Sequence, residues 1–153
     1  MKKILAVALF VGVLFLSGCS DGKEGKLVCT MDQSIDSSTK LKSTYNVSYK
    51  GGYATMVETT ETITSDNSEV LDSYKSSLDS MYGAYKNIEY YDNDIKVEDN
   101  QLVSTTKINY EKIDTDKLVE IDSNNKSIME NGKVKVSILK DAYEQLGASC
   151  KEK

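Results

Sequence analysis

Apolar or aromatic residues alternate with polar residues in the first half of the chain, and this alternation predicts a pair of strands. Residues 41–49 place Leu41, Tyr45 and Val47 on one side and polar residues on the other, which is typical of a half-buried strand. Lys-Gly-Gly-Tyr at positions 50–53 is a tight-turn signal, and a Thr-, Val- and Ile-bearing strand follows as far as Ile63. The pattern therefore predicts a β-hairpin.

The spacing of apolar residues changes to three and four over residues 70–85, which predicts a helix with one apolar face. Asp66 or Asn67 is expected to cap its start, with Glu69 three residues after Asp66 as in a capping box. Gly83 is expected to end the helix or loosen its last turn, because glycine disfavours a helix interior.

The remaining segments complete an α+β prediction. The sequence favours an antiparallel sheet of two hairpins plus an N-terminal strand, with two main helices packed on one face. Residues 122–132 are polar and predict a loop. The other predicted elements are an N-terminal strand at 26–33, strands at 88–97 and 102–110, a short helix capped by Asp114, and a final helix from about Ser137 to a C-cap at Gly147.

The N-terminus carries an export pattern. Lys2 and Lys3 precede an apolar run over residues 4–16, which is shorter than the roughly 20 residues of a membrane-spanning helix. Leu-Ser-Gly-Cys at 16–19 matches the bacterial lipobox, so cleavage is expected to leave a lipidated Cys19. We expect a signal peptide at 1–18, a flexible tether at 19–25 and a single domain at 26–153. A plain secretory signal with an incidental cysteine is the alternative.

This pattern predicts the outer face of a bacterial cytoplasmic membrane, or the periplasm or outer membrane of a double-membraned host. With Cys19 lipidated, Cys29 and Cys150 remain in an oxidising compartment, where one disulfide between them is the natural pairing. Two separate buried thiols are the alternative.

The net charge of the chain and the residue types that it lacks argue against several classes of function. The net charge is −5, and removal of a signal peptide with two lysines and no acid makes it −7. Such a chain lacks the basic surface that nucleic acid needs, and it is not expected to adsorb to anionic lipid by itself. Histidine and arginine are both absent, which removes imidazole catalysis, most zinc sites and bidentate phosphate clamps. The sequence predicts no enzyme, cofactor or metal.

Ten tyrosines and no tryptophan suggest an aromatic ligand surface. Tyr82, Tyr85, Tyr90 and Tyr91, near the exit of the long helix, are the candidate ligand-binding residues for a glycan. The alternative is that they fill the interface between sheet and helix while their hydroxyls reach water. The acidic stretch from Asp92 to Asn100 lacks the spacing of a calcium loop and is better explained as a solvated turn.

Four stretches carry a family resemblance: residues 45–62, Tyr-Gly-Ala-Tyr-Lys-Asn-Ile at 82–88, and residues 103–110 and 137–147. Together with the lipobox, they resemble the YehR-like small bacterial lipoproteins of unknown function. The resemblance implies the anchor and the fold, and no catalytic residue.

We therefore expect a membrane-anchored, non-catalytic binding or accessory module of the cell envelope, with a glycan or an envelope protein as candidate partner. The alternatives are a structural protein that docks a partner protein, and a hydrolase that uses carboxylates such as Asp92 with Glu98.

Overall fold

The computed structural model describes residues 22–153, and Cys19 lies outside this range. The fold is α+β, as predicted, with a six-stranded sheet, a small two-stranded sheet and three α-helices in the described residues. No helix within 22–153 is long and apolar enough to cross a membrane. The elements are β1 (Glu24–Ser34), β2 (Thr39–Lys50), β3 (Tyr53–Ser65), α1 (Ser68–Gly83), β4 (Tyr91–Glu98), β5 (Gln101–Asn109), α2 (Thr115–Ile121), a 3-10 helix (Ser123–Ile128), β6 (Met129–Glu130), β7 (Lys133–Val134), α3 (Val136–Gln145) and β8 (Ser149–Glu152).

The large sheet has the order β4-β5-β3-β2-β1-β8, and every neighbouring pair is antiparallel. The β2–β3 hairpin is confirmed, with Lys50 paired to Tyr53 across the turn. Gly51 and Gly52 both have positive φ, 59° and 82°, as a two-residue turn of type I′ requires. The same glycine turn also binds the residue before β1, because Gly51 N donates to Lys23 O at 3.0 Å.

The helix signals are confirmed at several positions. The Asn67 side chain caps α1 by accepting from Glu69 N at 2.9 Å, so the cap is Asn67 and not Asp66. Helix α1 ends at Gly83. Asp114 caps α2, and Gly147, with φ of 97°, follows the end of α3.

Two sequence predictions were wrong in detail, and one strand was not predicted. The strand predicted from residue 88 begins only at Tyr91, because residues 84–90 form turns and Tyr90 adopts a φ of 68° that strands exclude. The loop predicted at 122–132 contains the 3-10 helix and the short β6–β7 hairpin. The terminal strand β8 was not predicted, since its residues show no apolar alternation and it exists through pairing with β1.

The helices cover one face of the sheet, as expected. One apolar cluster joins α3, through Val136 and Leu139, to Leu27 and Val47 of the sheet. A second cluster, centred on Leu71, joins α1 to β3 and β5. A third surrounds Ile88, Ile113 and Leu118 beside α2. No helix of residues 22–153 packs on the opposite face, which we call the open face.

The disulfide between Cys29 and Cys150 is present and joins positions 121 residues apart. The two cysteines lie directly opposite each other on the adjacent strands β1 and β8. Cys29 is fully buried. The bridge therefore fixes the last strand of the chain to the first.

Candidate functional site

The four candidate tyrosines lie around the turns that connect α1 to β4. Tyr85 and Tyr91 stack with their ring centroids 4.9 Å apart and an angle of 17° between the rings. Both rings pack against the cluster of Ile88, Ile113 and Leu118. Burial raises the pKa of Tyr91 well above its ordinary value. These two rings therefore contribute to the packing between sheet and helix, which is one of the two interpretations that the sequence left open.

Tyr90 and Tyr82 have different surroundings. Tyr90 is 40% exposed, and Lys112 Nζ lies 5.5 Å from its ring centroid. Tyr82 is half-buried beside Glu61, and burial raises its pKa to about 12. A small cleft of about 140 Å³ opens between Tyr82, Lys86 and Tyr91. Two of the four rings thus form a stacked pair, Tyr82 lines a cleft with one of them, and Tyr90 is exposed beside Lys112. Their role in ligand binding stays a prediction.

A polar row on the covered face separates the apolar clusters. Glu61 of β3 lies opposite Ser43 of β2 and Ser104 of β5. Burial raises the pKa of the Glu61 carboxyl, and the nearby Tyr82 hydroxyl acts in the opposite direction. Ser43 is 1% exposed, and its Oγ has no hydrogen-bond partner among residues 22–153.

Sequence reasoning missed this row, although the signal was present. Strict alternation along β3 puts Val57, Glu61 and Ile63 on the same face, so a buried-side carboxylate was readable from the sequence. The half-buried Glu61 carboxyl lies beside the Tyr82 hydroxyl, so it can bind a proton or accept a hydrogen bond from that hydroxyl.

The acidic stretch at the start of β4 divides between the two faces of the sheet. Asn93 faces inward, where its Nδ2 donates to Thr106 Oγ1 at 3.0 Å and to Thr105 O at 3.2 Å. Asp92 and Asp94 face outward, and Asp94 pairs with Lys96 at 2.8 Å. Within residues 22–153 no group of three acidic or cysteine side chains could hold a metal ion.

Asp92 and Glu98, the carboxylates of the hydrolase alternative, occupy the two ends of β4. Six residue steps along the strand place their Cα atoms about 20 Å apart. Paired carboxylates in glycosidases lie about 5–10 Å apart, so these two do not form such a pair.

The open face of the sheet carries a cleft of about 370 Å³. Two cross-strand rows of polar side chains build its floor. The first row runs Asn46, Glu58, Lys107 and Asp92, and the second runs Thr60, Thr105 and Asp94.

An ion pair between β5 and β3 crosses the floor of this cleft. Lys107 Nζ lies 2.8 Å from Glu58 Oε1, and this hydrogen bond raises the pKa of Lys107. The cleft therefore offers hydroxyl, amide, carboxylate and ammonium groups together, on strands whose backbone is held by the sheet.

Comparison with known proteins places the chain in a family. Residues 18–153 match the family described as "Domain of unknown function (DUF8824)". The chain belongs to this family. No protein with a curated description matches the sequence.

Two solved structures have a similar fold. The NMR structure of the Escherichia coli YehR protein superposes with a TM-score of 0.55 at 18% identity, covering 84% of this chain and 91% of YehR. The NMR structure of a protein from Streptococcus pneumoniae TIGR4 gives 0.51 at 12% identity, covering 99% and 96% of the two chains. The expected resemblance to YehR is therefore confirmed, and at these identities it concerns the fold.

Proposed function

We propose that this protein is a lipid-anchored, extracytoplasmic binding module of the bacterial envelope that holds a hydroxyl-rich ligand, such as a glycan, in the cleft on its open sheet face. Cys19 is the proposed attachment point, and the module is non-catalytic.

The cleft is the observation that carries the binding role. Its two polar rows present donors and acceptors at the regular spacing of adjacent strands, about 4.8 Å apart. A sugar chain exposes hydroxyl groups that donate and accept, so side chains such as Asn46, Thr60 and Thr105 match its chemistry. Helices α1 and α3 pack on the other face and leave this cleft accessible.

The cysteines support the extracytoplasmic location. Disulfides persist mainly in oxidising compartments, and the Cys29–Cys150 bridge lies within the core of the sheet. The family match begins at Gly18, directly before Cys19, and so excludes the basic and apolar stretch that we assign to a signal peptide. A diacylglycerol at Cys19 would supply the two acyl chains that stable anchoring requires.

Replacement of Cys19 tests the anchor. The Cys19→Ala variant, expressed from the full chain in a bacterial host, is expected to leave the detergent-soluble membrane fraction and to lose incorporation of radiolabelled palmitate. The matched control is Ser20→Ala, which changes the adjacent residue and keeps the lipobox. Retention of Cys19→Ala in the membrane fraction would contradict the assignment.

Titration with soluble peptidoglycan fragments tests the cleft. We expect chemical-shift changes in NMR spectra of the isotope-labelled protein at Thr60 and Thr105, and their loss in a Thr60→Val/Thr105→Val variant. The control is Thr62→Val/Thr64→Val, which alters the same face of β3 beyond the cleft. Shifts confined to Tyr82 and Tyr85 would instead assign the glycan to the tyrosine region, and an unchanged spectrum would refute a glycan of this class.

A further inference from the structure

Lysines are concentrated at the end of the sheet where the chain enters β1. Three grooves of about 550, 440 and 380 Å³ open there. The first and second both include Tyr49 in their lining, and the first and third both include Lys50 and Glu111. Seven lysines and four acidic residues line these grooves, although acids outnumber lysines 24 to 19 in the whole chain. We call this region the tether-end surface, and its main lysines are Lys23, Lys26, Lys50, Lys133, Lys135 and Lys153.

The opposite end of the sheet is acidic. Asp36 lies in the β1–β2 loop, Asp66 precedes α1, and Asp99 lies in the β4–β5 turn. The strand register places these three connections together, because Thr39 pairs with Ser65 and Ser65 N donates to Asn100 O. Lysines therefore outnumber acids in the lining of the tether-end grooves, and acidic residues cluster at the opposite end, although the chain as a whole is acidic.

Several tether-end lysines keep their charge available. Lys50 pairs with Glu24 at 3.1 Å, and Lys135 pairs with Glu130 at 2.9 Å. Within residues 22–153, Lys23, Lys26 and Lys153 have no carboxylate within 4.0 Å. Exposed ammonium groups on flexible stems can reach an oppositely charged surface without breaking an ion pair.

The length of the tether fixes how far this surface can lie from a membrane anchor. Gly22 is three residues beyond Cys19, so an extended backbone spans at most about 11 Å between them. The hydrogen bond from Gly51 N to Lys23 O holds the following residue to the glycine turn. A domain anchored at Cys19 would therefore have the tether-end surface within about one Debye length of the headgroups.

We propose that the tether-end surface docks on the anionic headgroups of phospholipids and so orients the anchored domain. The acidic end then points away from the membrane, and the long axis of the strands stands out from it. This inference rests on the proposed anchor at Cys19. Anionic headgroups attract lysines close to the surface and repel acids, so the charge distribution favours this one orientation.

Lysine footprinting on vesicles tests the docking. Cys29 and Cys150 are bridged, which leaves Cys19 as the free thiol of the chain 19–153, and this chain holds every described element. Coupling that thiol to a maleimide lipid attaches the protein at the proposed position whether or not a cell lipidates it. Failure of the cellular anchor and failure of the docking are therefore distinguishable.

Acetylation by a membrane-impermeant amine reagent, measured peptide by peptide, is the readout. On vesicles of phosphatidylglycerol and phosphatidylcholine, Lys26, Lys50 and Lys153 are expected to react about threefold more slowly than on phosphatidylcholine alone. Lys40 and Lys96, towards the acidic end, should react equally on both. The protection should disappear near 1 M salt, where the Debye length is about 3 Å.

Two variants of equal net charge isolate the position of the charge. Lys23 and Lys135 belong to the same surface, so anionic lipid is expected to slow their reaction as well. Lys26→Gln/Lys50→Gln/Lys153→Gln should abolish this protection of Lys23 and Lys135. Lys40→Gln/Lys42→Gln/Lys96→Gln should leave it intact.

Equal reaction rates on both vesicle types would overturn the proposal, as would equal effects of the two variants. Protection by soluble polyglycerol phosphate in place of anionic vesicles would overturn it in favour of an anionic wall polymer.

Discussion

Removal of the Cys29–Cys150 bridge should lower the free energy of unfolding, by an amount that depends on the length of the loop that the bridge closes. The bridge closes a loop of 121 residues, for which the chain-entropy relation gives about 5 kcal/mol at 25 °C as an upper value. With an unfolding entropy of about 2.1 cal/mol/K per residue over the described chain, this corresponds to a fall in Tm of about 15–18 °C. Because β8 pairs with β1 over only four residues, the loss should also release β8.

Thermal unfolding followed by circular dichroism measures this effect in the oxidised protein, the reduced protein and a Cys150→Ala variant. The reduced protein and the variant should unfold at the same lower temperature, because both lack the bridge while the variant removes only a half-buried sulfur. Hydrogen exchange should show loss of protection at residues 149–152. A fall in Tm below about 3 °C would refute the entropic reasoning, since the closed loop is long.

Two further predictions concern β3 and the glycines. Because burial raises the pKa of Glu61, the folded protein binds this proton more tightly than the unfolded chain, so the stabilising contribution is complete at low pH and is lost as pH rises through the folded-state pKa. Glu61→Gln should therefore gain Tm relative to the native protein between pH 4 and pH 8, and parallel pH profiles would contradict this. Gly52→Ala should lower the free energy of unfolding, measured in urea, by about 1 kcal/mol, because φ at Gly52 is 82°. Gly83 has neither a positive φ nor a neighbour within 4 Å, so Gly83→Ala should leave that free energy unchanged or raise it slightly.

Local signals predicted the elements that depend on near neighbours. The β2–β3 hairpin follows from alternation and from two glycines at the turn, and α1 follows from its apolar spacing and the Asn67 cap. Strand β8 could not be found this way, because Ser149–Glu152 has no apolar pattern and its conformation comes from pairing with β1, 121 residues away at the cysteines. The cysteine count predicted that contact without predicting the strand.

The candidate site was predictable by residue type and less so by geometry. Tyrosines 82, 85, 90 and 91 are close in sequence, but residues 84–90 form turns and Tyr90 has a positive φ, so that Tyr85 stacks on Tyr91 while Tyr90 stays exposed. Residue spacing does not record such a turn. The polar rows of the open cleft combine four strands, and Asn46 of β2 and Asp92 of β4 stand at the two ends of one row because β3 and β5 pair between them.

The place of β1 in the sheet has a mechanical consequence. Tension applied through Cys19 would enter the fold along β1, whose eleven residues all pair with β2 while β8 and the disulfide hold its other side. A pull along the strand axis loads these hydrogen bonds together in shear, so they must break at once and cannot open one after another. A domain tethered at Cys19 would therefore resist a pull along this axis better than a domain whose tether enters through a strand that can open from one end.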